Sequence, residues 1–193
     1  MISFIKGEIA DKFPTHVIID VQGIGYHINI SLNTYSQIAE QKQILLHIHE
    51  IIREDTYELY GFYSVHEREV FRHLISVSGI GANTARMILS SLQVEELEQV
   101  IISGNVNVLK SIKGIGLKTA QRVIVDLKDK IGKSASAAEI FTPADNTIKN
   151  EALSALVMLG FTRNASEKAI DKVLKTSGNK AVEEVIKLAL KQL

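Results

Sequence analysis

The 193-residue sequence contains no cysteine, no tryptophan and only two prolines. Without cysteine the chain forms no disulfide and no thiolate metal site, which agrees with a reducing compartment such as the cytoplasm. No apolar run reaches the length that a membrane-spanning helix needs. Charged residues interrupt the apolar start of the chain between Lys6 and Lys12, so it does not resemble a signal peptide. We expect a cytoplasmic protein with no membrane partner.

Patterns for catalysis and for cofactor binding are also missing. Residues 116–119 read GLKT and end like a nucleotide-binding P-loop, but that loop requires glycine directly before Lys-Thr, and Leu117 occupies this place. His47 and His49 share one face of a predicted strand without a third ligand, which favours a polar sheet face over a metal site. We therefore expect no catalytic residue, no metal and no cofactor.

The formal net charge is zero, but the charges are unevenly distributed. Residues 1–63 hold four Lys or Arg against eight Asp or Glu, whereas residues 64–132 and residues 133–193 each hold nine against seven. An acidic first segment therefore precedes two mildly basic ones. This asymmetry predicts different roles for the segments.

The most informative pattern is a segment that occurs twice. Residues 77–85 read VSGIGANTA and residues 112–120 read IKGIGLKTA, 35 residues further on. A repeat at a fixed period usually marks one supersecondary unit used twice. The flanking apolar residues, Leu74 with Leu109 and Ile88 with Val123, extend the match. Each copy predicts a helix, a tight glycine turn and a second helix.

The physical chemistry of this unit indicates a phosphate site. Glycines at both ends of a three-residue turn allow positive φ and a close approach of another backbone. The turn leads into a helix whose first N–H groups have no internal partner and lie at the positive end of the helix dipole. The candidate binding residues are Gly79, Ile80, Gly81, Asn83 and Thr84 in the first copy and Gly114, Ile115, Gly116, Lys118 and Thr119 in the second.

The paired unit resembles the helix-hairpin-helix motif, which binds the DNA phosphate backbone without reading sequence. A third Gly-Ile-Gly, at residues 23–25, lies between strand-like flanks and predicts a β-hairpin turn instead. The alternative for the two repeated copies is a purely structural pair of αα-hairpins. Two copies with helical flanks favour binding to a nucleic-acid backbone.

Three segments of different texture predict a multidomain α+β protein. Residues 1–63 predict an N-terminal OB-fold β-barrel, and residues 64–132 predict a central all-α domain with the tandem helix-hairpin-helix motifs. Residues 133–146 are small and polar and predict a flexible linker. Residues 147–193 predict a C-terminal three-helix domain, whose loop at 158–161 resembles that of UBA-like (ubiquitin-associated) domains. The strand-like runs are Met1–Ile9, Thr15–Val21, Tyr26–Ile30, Gln43–Ile52 and Tyr57–Phe62.

Two adjacent carboxylates, Glu54 and Asp55, lie between the last two strand-like runs, at a predicted hairpin tip. Such a pair is typical of solvated turn residues. No histidine or metal-ligand cluster accompanies the pair, so a catalytic role is not indicated. From the residues alone, an ordinary turn is the favoured interpretation.

The order of barrel, paired hairpins, linker and helical module resembles the RuvA family of Holliday-junction-binding proteins over essentially the whole chain. This resemblance implies that Glu54 and Asp55 form an acidic pin at the junction centre, where repulsion from phosphates keeps strands apart and excludes ordinary duplex. One departure is Ala82-Asn83 in the first hairpin, where family members often carry lysine. The most specific segments are 53–55, 59–62, 79–81, 114–120 and 151–161.

The resemblance also implies a function and partners. The function is that of a non-catalytic, structure-specific subunit that holds a four-way junction open and recruits a motor for branch migration in recombination and repair. The partners are four-way junction DNA, a homotetramer or two facing tetramers that form an octamer, a hexameric RuvB-type ATPase, and, as a further candidate, a RuvC-type junction resolvase. An apolar patch around Leu156, Leu159 and Phe161 is the expected motor contact. The alternative is that these side chains are simply the three-helix core.

A second class of function stays open, namely a DNA repair enzyme, such as a glycosylase or nuclease, that uses the hairpins for grip. That class needs a catalytic Asp or Lys in a pocket, or a carboxylate cluster for metals. Asp126 and Asp129 follow the second copy, but beside Lys128 and Lys130 they are typical of a solvated helix face.

Overall fold

The computed structural model describes residues 1–138, 145–177 and 181–193. It contains two compact units, Met1–Ser136 and Ala137–Leu193. None of the helices in these described ranges is long and apolar enough to cross a membrane. The first unit holds a barrel followed by helices, and the second is helical.

Five strands form a closed barrel in the order β1-β2-β3-β5-β4, which confirms the predicted OB-fold. All neighbouring strands are antiparallel except β3 and β5. The first strand extends to Phe13 and does not end at Ile9 as expected, because a bulge between Ile9 and Asp11 lets one strand pair with both β2 and β4. The strands are β1 (Phe4–Phe13), β2 (His16–Val21), β3 (Ile24–Ile30), β4 (Gln43–Ile52) and β5 (Tyr57–Phe62), with helix α1 (Leu32–Gln37) between β3 and β4.

The Gly-Ile-Gly at residues 23–25 belongs to the β2–β3 hairpin, as predicted. Its turn is Gln22-Gly23, with φ of 54° and 89°, between the paired residues Val21 and Ile24. Positive φ at both central residues suits the twist of a two-residue hairpin. The same three letters therefore specify a different structure here, because the flanks are strands.

Aromatic side chains join the barrel to the helices of the first unit. Tyr60 and Phe62 on β5 are buried against Phe71, with ring centroids 5.3 and 4.8 Å apart. Both aromatics belong to the same hydrophobic core as the helices. The helices are α2 (Val65–Ile75), α3 (Ala82–Ser91), α4 (Val94–Ser103), α5 (Val106–Ser111) and α6 (Leu117–Ala138).

A buried carboxylate lies where the barrel meets the helices. Glu67 on α2 is 3% exposed and accepts hydrogen bonds from the Ser31 hydroxyl at 2.6 Å and the Thr34 hydroxyl at 2.8 Å. Ser31 also caps α1 by accepting from the Thr34 N–H. Burial raises the pKa of the Glu67 carboxyl above its usual range, although these hydrogen bonds act in the opposite direction.

The second unit packs three helices around an apolar core, as the sequence predicts. Helix α7 ends in a Schellman motif, in which Gly160 has φ of 97°, its N–H donates to the Val157 carbonyl, and the Phe161 N–H donates to the Leu156 carbonyl. Lys149 on α7 forms an ion pair with Asp171 on α8 at 2.5 Å. The helices are α7 (Asp145–Met158), α8 (Arg163–Ser177) and α9 (Val182–Leu190).

The interval 133–146, expected to be a linker, overlaps both units. Residues 133–138 continue α6, and residues 145–146 begin α7. Residues 139–144 lie outside the described part of the chain. The linker and the domain boundaries drawn around it remain predictions.

We expect Glu67→Gln to flatten the pH dependence of barrel stability. Above the ordinary glutamate pKa of 4.5, the unfolded chain releases a proton that the folded chain retains, so stability falls as the pH rises through the raised pKa. The amide carries no such proton. Denaturant unfolding from pH 4.5 to 8, followed by tyrosine fluorescence, reports on the barrel because all five tyrosines lie within residues 26–63. Exposed Glu40→Gln is the control and should keep the wild-type slope; an unchanged slope for Glu67→Gln contradicts the prediction.

Candidate nucleic-acid interface

The two copies of the repeat have the same backbone hydrogen bonds. Each copy contains a tight turn closed by an isoleucine N–H, followed by a helix whose first i→i+4 bond reaches back to the second glycine. This identity confirms the tandem helix-hairpin-helix prediction. The bonds are Ile80 to Val77 at 3.0 Å and Ala85 to Gly81 at 2.9 Å, and Ile115 to Ile112 at 3.1 Å and Ala120 to Gly116 at 2.9 Å.

The two glycines of each turn have different roles, which corrects the expectation that both adopt positive φ. Gly79 and Gly114, the first of each pair, have φ of 94° and 89°. Gly81 is the N-cap of α3 with extended φ and ψ of −88° and 169°, and Gly116 has no positive φ either. Only the first glycine is required by backbone conformation. Neither φ nor a neighbouring atom in the described residues requires glycine at the second position.

Both second glycines face open space. A Cβ built on Gly81 or on Gly116 would find no heavy atom within 4 Å. The N-terminus of α3 has no side-chain cap, so the N–H groups of its first turn are available to a ligand. An anion at these sites would meet backbone donors and the positive end of a helix dipole.

The other candidate side chains divide between the surface and the core. Asn83 and Lys118 are exposed, and Thr84 and Thr119 are half-buried in the first turns of α3 and α6. Ile80 and Ile115 are each 5% exposed, so their side chains anchor the turns and only their backbone could meet DNA.

Arg122 is a candidate that the sequence reasoning missed. Its Nη1 donates to the Ser78 carbonyl in the first turn at 3.4 Å, so the second hairpin brings a cation to the first. The equivalent position in the first copy, 35 residues earlier, is Met87, which lies beside Gly114 of the second turn. Applying the repeat period to every position would have paired these two residues. The second turn is itself flanked by exposed Lys113 and Lys118.

The acidic pair lies at the tip of the β4–β5 hairpin. The last strand pair is Ile52 with Tyr57, and the Arg53 N–H donates to the Thr56 carbonyl at 2.8 Å. Glu54 and Asp55 are exposed. Within the described residues neither carboxylate forms an ion pair or hydrogen bond. Both charges therefore face solvent on a short, closed loop.

A third carboxylate near this loop is held in place by its neighbours. Glu50 on β4 accepts hydrogen bonds from the Tyr57 hydroxyl and from the Ile2 N–H, both at 2.7 Å. The Tyr57 hydrogen bond is the largest cause that lowers the pKa of Glu50. Glu50 thus holds β5, the strand that follows residues 53–56, which are called the acidic loop below. Glu54 and Asp55 are then the two carboxylates of this loop that are unpaired within the described residues.

The expected motor-binding patch is only partly exposed. Leu156 is fully buried in the core of the second unit, so it supports the alternative interpretation for this residue. Leu159 is 61% exposed, Phe161 36%, and the neighbouring Met158 89%. The helix ends at Met158, and the Schellman turn places these three apolar side chains on the surface. Met158, Leu159 and Phe161 are called the apolar turn below.

No group of three or more His, Asp or Glu residues in the described ranges is placed to hold a metal ion. Asp126 and Asp129 are exposed on α6. Burial is the largest cause that lowers the pKa of His47 and of His49, and Arg68 contributes to both shifts. Both shifts favour the neutral form of these two imidazoles.

Comparisons with protein families match three parts of the chain. Residues 1–61 match the RuvA N-terminal domain, residues 71–129 match a SAM-like helix-hairpin-helix tandem, and residues 147–193 match the RuvA C-terminal domain. The matches follow the barrel, the paired hairpins and the three-helix module in order.

Curated relatives match the chain from end to end. A Holliday junction branch migration complex subunit RuvA from Bacteroides fragilis is 56% identical, and one from Bacteroides thetaiotaomicron is 54% identical. A third, from Christiangramia forsetii, is 50% identical. Each alignment covers 100% of this chain and 100% of the relative.

We expect the two glycines of one turn to respond differently to alanine. Gly114→Ala forces a side chain into the left-handed region and should cost roughly 1–2 kcal/mol. Gly116→Ala places a methyl group in open space on a backbone that alanine accepts, and should change stability by less than about 0.5 kcal/mol. Thermal unfolding followed by circular dichroism measures both, and Gly79→Ala with Gly81→Ala repeats the test. Equal losses within a turn would contradict the division of roles.

Proposed function

The chain belongs to the RuvA family of Holliday junction branch migration complex subunits, and we propose that it binds four-way junction DNA through its two hairpins and discriminates against duplex through its acidic loop. It acts as a non-catalytic subunit of a branch migration complex in recombination and repair. Because such a complex works on the bacterial chromosome, we expect the protein in the cytoplasm. The ATPase of that complex is a separate, hexameric RuvB-type chain.

The observation that carries this proposal is the exposed pair of equivalent turns. Gly81 and Gly116 leave room for a phosphate against the helix N-termini, and no contact inside the chain explains the missing side chains. Two such sites, related by the repeat, suit two phosphates of one backbone. Because phosphate contacts position a protein without reading bases, the binding is independent of sequence.

The cations are shared unequally between the hairpins. The second turn carries Lys113 and Lys118, whereas the first has Ala82-Asn83 in its helix and receives Arg122 from α6. We infer that Arg122 serves the first phosphate site, whose own sequence lacks lysine. The first hairpin then contributes mainly backbone N–H groups and depends on the second for charge.

The acidic loop supplies selectivity by repulsion. Two unpaired carboxylates at a closed tip repel phosphate, and the repulsion is strong where a continuous duplex would pass and weak where strands separate. A homotetramer provides four such loops and eight hairpin turns for four arms, and two facing tetramers would enclose the junction as an octamer. A RuvC-type resolvase is a further candidate partner.

Binding assays on a four-way junction and on a duplex of equal length test this function. We expect the junction to bind more tightly, and the logarithm of its binding constant to fall linearly with the logarithm of salt concentration, with a slope of roughly −0.9 per phosphate contacted. Gly116→Ala should weaken binding without loss of stability. A salt-independent affinity, or a junction bound no better than duplex, would remove the proposal. Cleavage of damaged, flapped or four-way DNA with magnesium would favour the enzyme alternative.

Neutralising the acidic loop separates repulsion from affinity. The double variant Glu54→Gln and Asp55→Asn should bind duplex about tenfold more tightly, because like charges placed close together cost more than about 1 kcal/mol. Junction affinity should be retained, since the hairpins are untouched. The control, Asp11→Asn with Glu40→Gln, removes two exposed charges from the same barrel and should leave duplex binding unchanged. If the duplex affinity of the loop variant does not rise, Glu54 and Asp55 are ordinary turn residues.

The apolar turn is the proposed contact for the motor. Met158→Ser with Leu159→Ser should abolish stimulation of ATP-driven branch migration while the circular dichroism of the protein is unchanged, because both side chains are exposed. Leu156→Ala removes a core side chain and should destabilise the module by about 2–5 kcal/mol. Leu190→Ser, 39% exposed on α9, is the control and should keep stimulation. A truncated chain, 1–146, that stimulates as well as the full chain would exclude the module as the contact.

A further inference from the structure

Helix α3, which begins at the first turn, is attached to the barrel by an arginine. Arg86 Nη1 donates to the Thr15 carbonyl at 2.9 Å and to the Asn29 Oδ1 at 3.0 Å. Thr15 lies between β1 and β2, and Asn29 lies on β3. A guanidinium that donates to two acceptors of the barrel, one in the β1–β2 turn and one on β3, fixes direction as well as distance.

The far end of α3 is attached as well. Asn33 on α1 donates from Nδ2 to the carbonyls of Leu89 and Leu92, at 2.6 and 2.9 Å. These carbonyls lie at the C-terminal end of α3, where a helix leaves acceptors without internal partners. The Leu32 N–H also donates to the Ser90 hydroxyl at 3.0 Å. The helix is therefore held at its middle and at its C-terminal end, and its N-terminal end leads out of the first turn.

The contact at Arg86 continues to the strand that follows the acidic loop. Asn29 accepts from Arg86 through Oδ1 and donates through Nδ2 to the Leu59 carbonyl at 3.3 Å. Leu59 lies on β5, two residues beyond Tyr57, at which the acidic loop closes. A continuous polar path thus runs from α3 through β3 to the base of the loop.

The repeat shows that the hairpin motif does not itself require arginine at this position. The equivalent residue in the second copy, 35 residues on, is the exposed Gln121. Arg86 belongs to the first copy, where its Nη1 donates to two acceptors of the barrel. The barrel supplies the acceptors for the Arg86 guanidinium, whereas the first turn supplies the acceptor for that of Arg122.

We propose that Arg86 is a positioning residue that sets the first hairpin turn relative to the acidic loop, and that the selectivity for four-way junctions depends on it. This inference rests on the proposed function. Arg86 acts through α3 and Asn29 and not by contact with DNA. Loss of its two hydrogen bonds lets α3 shift on the barrel. The first turn and the acidic loop are then no longer spaced to fit the same four-way junction, so the preference for junctions falls.

Three arginine-to-methionine variants distinguish positioning from phosphate binding, since methionine keeps an unbranched side chain with good helix propensity. Arg86→Met should lower the ratio of junction to duplex affinity about tenfold, as expected for the loss of hydrogen bonds from a charged donor, with duplex affinity unchanged. Arg122→Met should weaken both affinities alike. Arg72→Met, which removes an exposed arginine paired with Glu69, should change neither. Arg86→Lys, which restores a cationic donor, should recover part of the ratio.

A distance measurement on the free protein provides a readout that does not use DNA. Because the chain has no cysteine, spin labels at Thr56→Cys and Ser78→Cys report on the loop and the first turn without background. Labelled chains are diluted with unlabelled ones so that each assembly carries one pair. Arg86→Met should broaden or shift the distance distribution, and Arg86→Lys should restore it.

The outcomes separate this inference from the proposed function. An unchanged distance distribution and an unchanged affinity ratio for Arg86→Met overturn the positioning role while leaving the function in place. Equal losses of junction and duplex affinity with an unchanged distribution identify Arg86 as a phosphate contact and also overturn it. A wild-type chain that binds both DNAs equally overturns the function, and the distance distribution then still decides whether Arg86 positions α3.

Discussion

The packing of Phe71 against two strands of the barrel is the constraint on which the remaining structure of the first unit depends. Phe71 is fully buried, stacks on Tyr60, packs against Phe62 at a tilted angle, and forms a T-shaped contact with His49. Those partners lie on β4 and β5, the two strands that carry the acidic loop between them. Because the same ring is part of the helical core, it joins the two strands that flank the acidic loop to the helices that carry the hairpins. Under the proposed function, this packing helps to fix the distance between the loop that repels DNA and the hairpins that bind it.

Polar groups complete the contact between barrel and helices, because apolar packing alone does not define direction. Glu67 is buried among hydroxyls of α1, and Asn33 caps the end of α3 from the same short helix. Hydrogen bonds are directional, so they specify one arrangement among the several that would bury similar apolar area. The cost is a buried carboxylate: because its pKa is raised, the contact between barrel and helices becomes less stable as the pH rises. The short α1 therefore has a structural role that its length would not suggest.

Much of this architecture follows from the sequence, because it rests on local patterns. The 35-residue repeat, the alternating strands of the first segment and the glycine that ends α7 each describe an interaction between near neighbours. What the sequence could not supply were relations between distant residues. Leu156 and Leu159 look equivalent in the sequence, yet one is buried and the other exposed, because a Schellman turn changes the direction of the chain between them. Arg122 beside Ser78 required the packing of two hairpins. The split between Gly79 and Gly81 required the backbone angles.

The formal net charge of zero, which is unusual for a DNA-binding protein, is consistent with the proposed selectivity. A strongly basic surface binds any duplex through counterion release, with little regard for structure. Here the donors at the two turns are largely backbone N–H groups, which attract phosphate only at close range and in one orientation. Cations, namely Lys113, Lys118 and Arg122, lie at the turns, and the carboxylates of Glu54 and Asp55 lie apart from them on the acidic loop. Under the proposed function, attraction acts at the turns and repulsion at the loop, so DNA that reaches the turns while avoiding the loop gains the most binding energy. On that basis, a neutral total with this distribution of charges is the one that the proposed preference for four-way junctions over duplex requires.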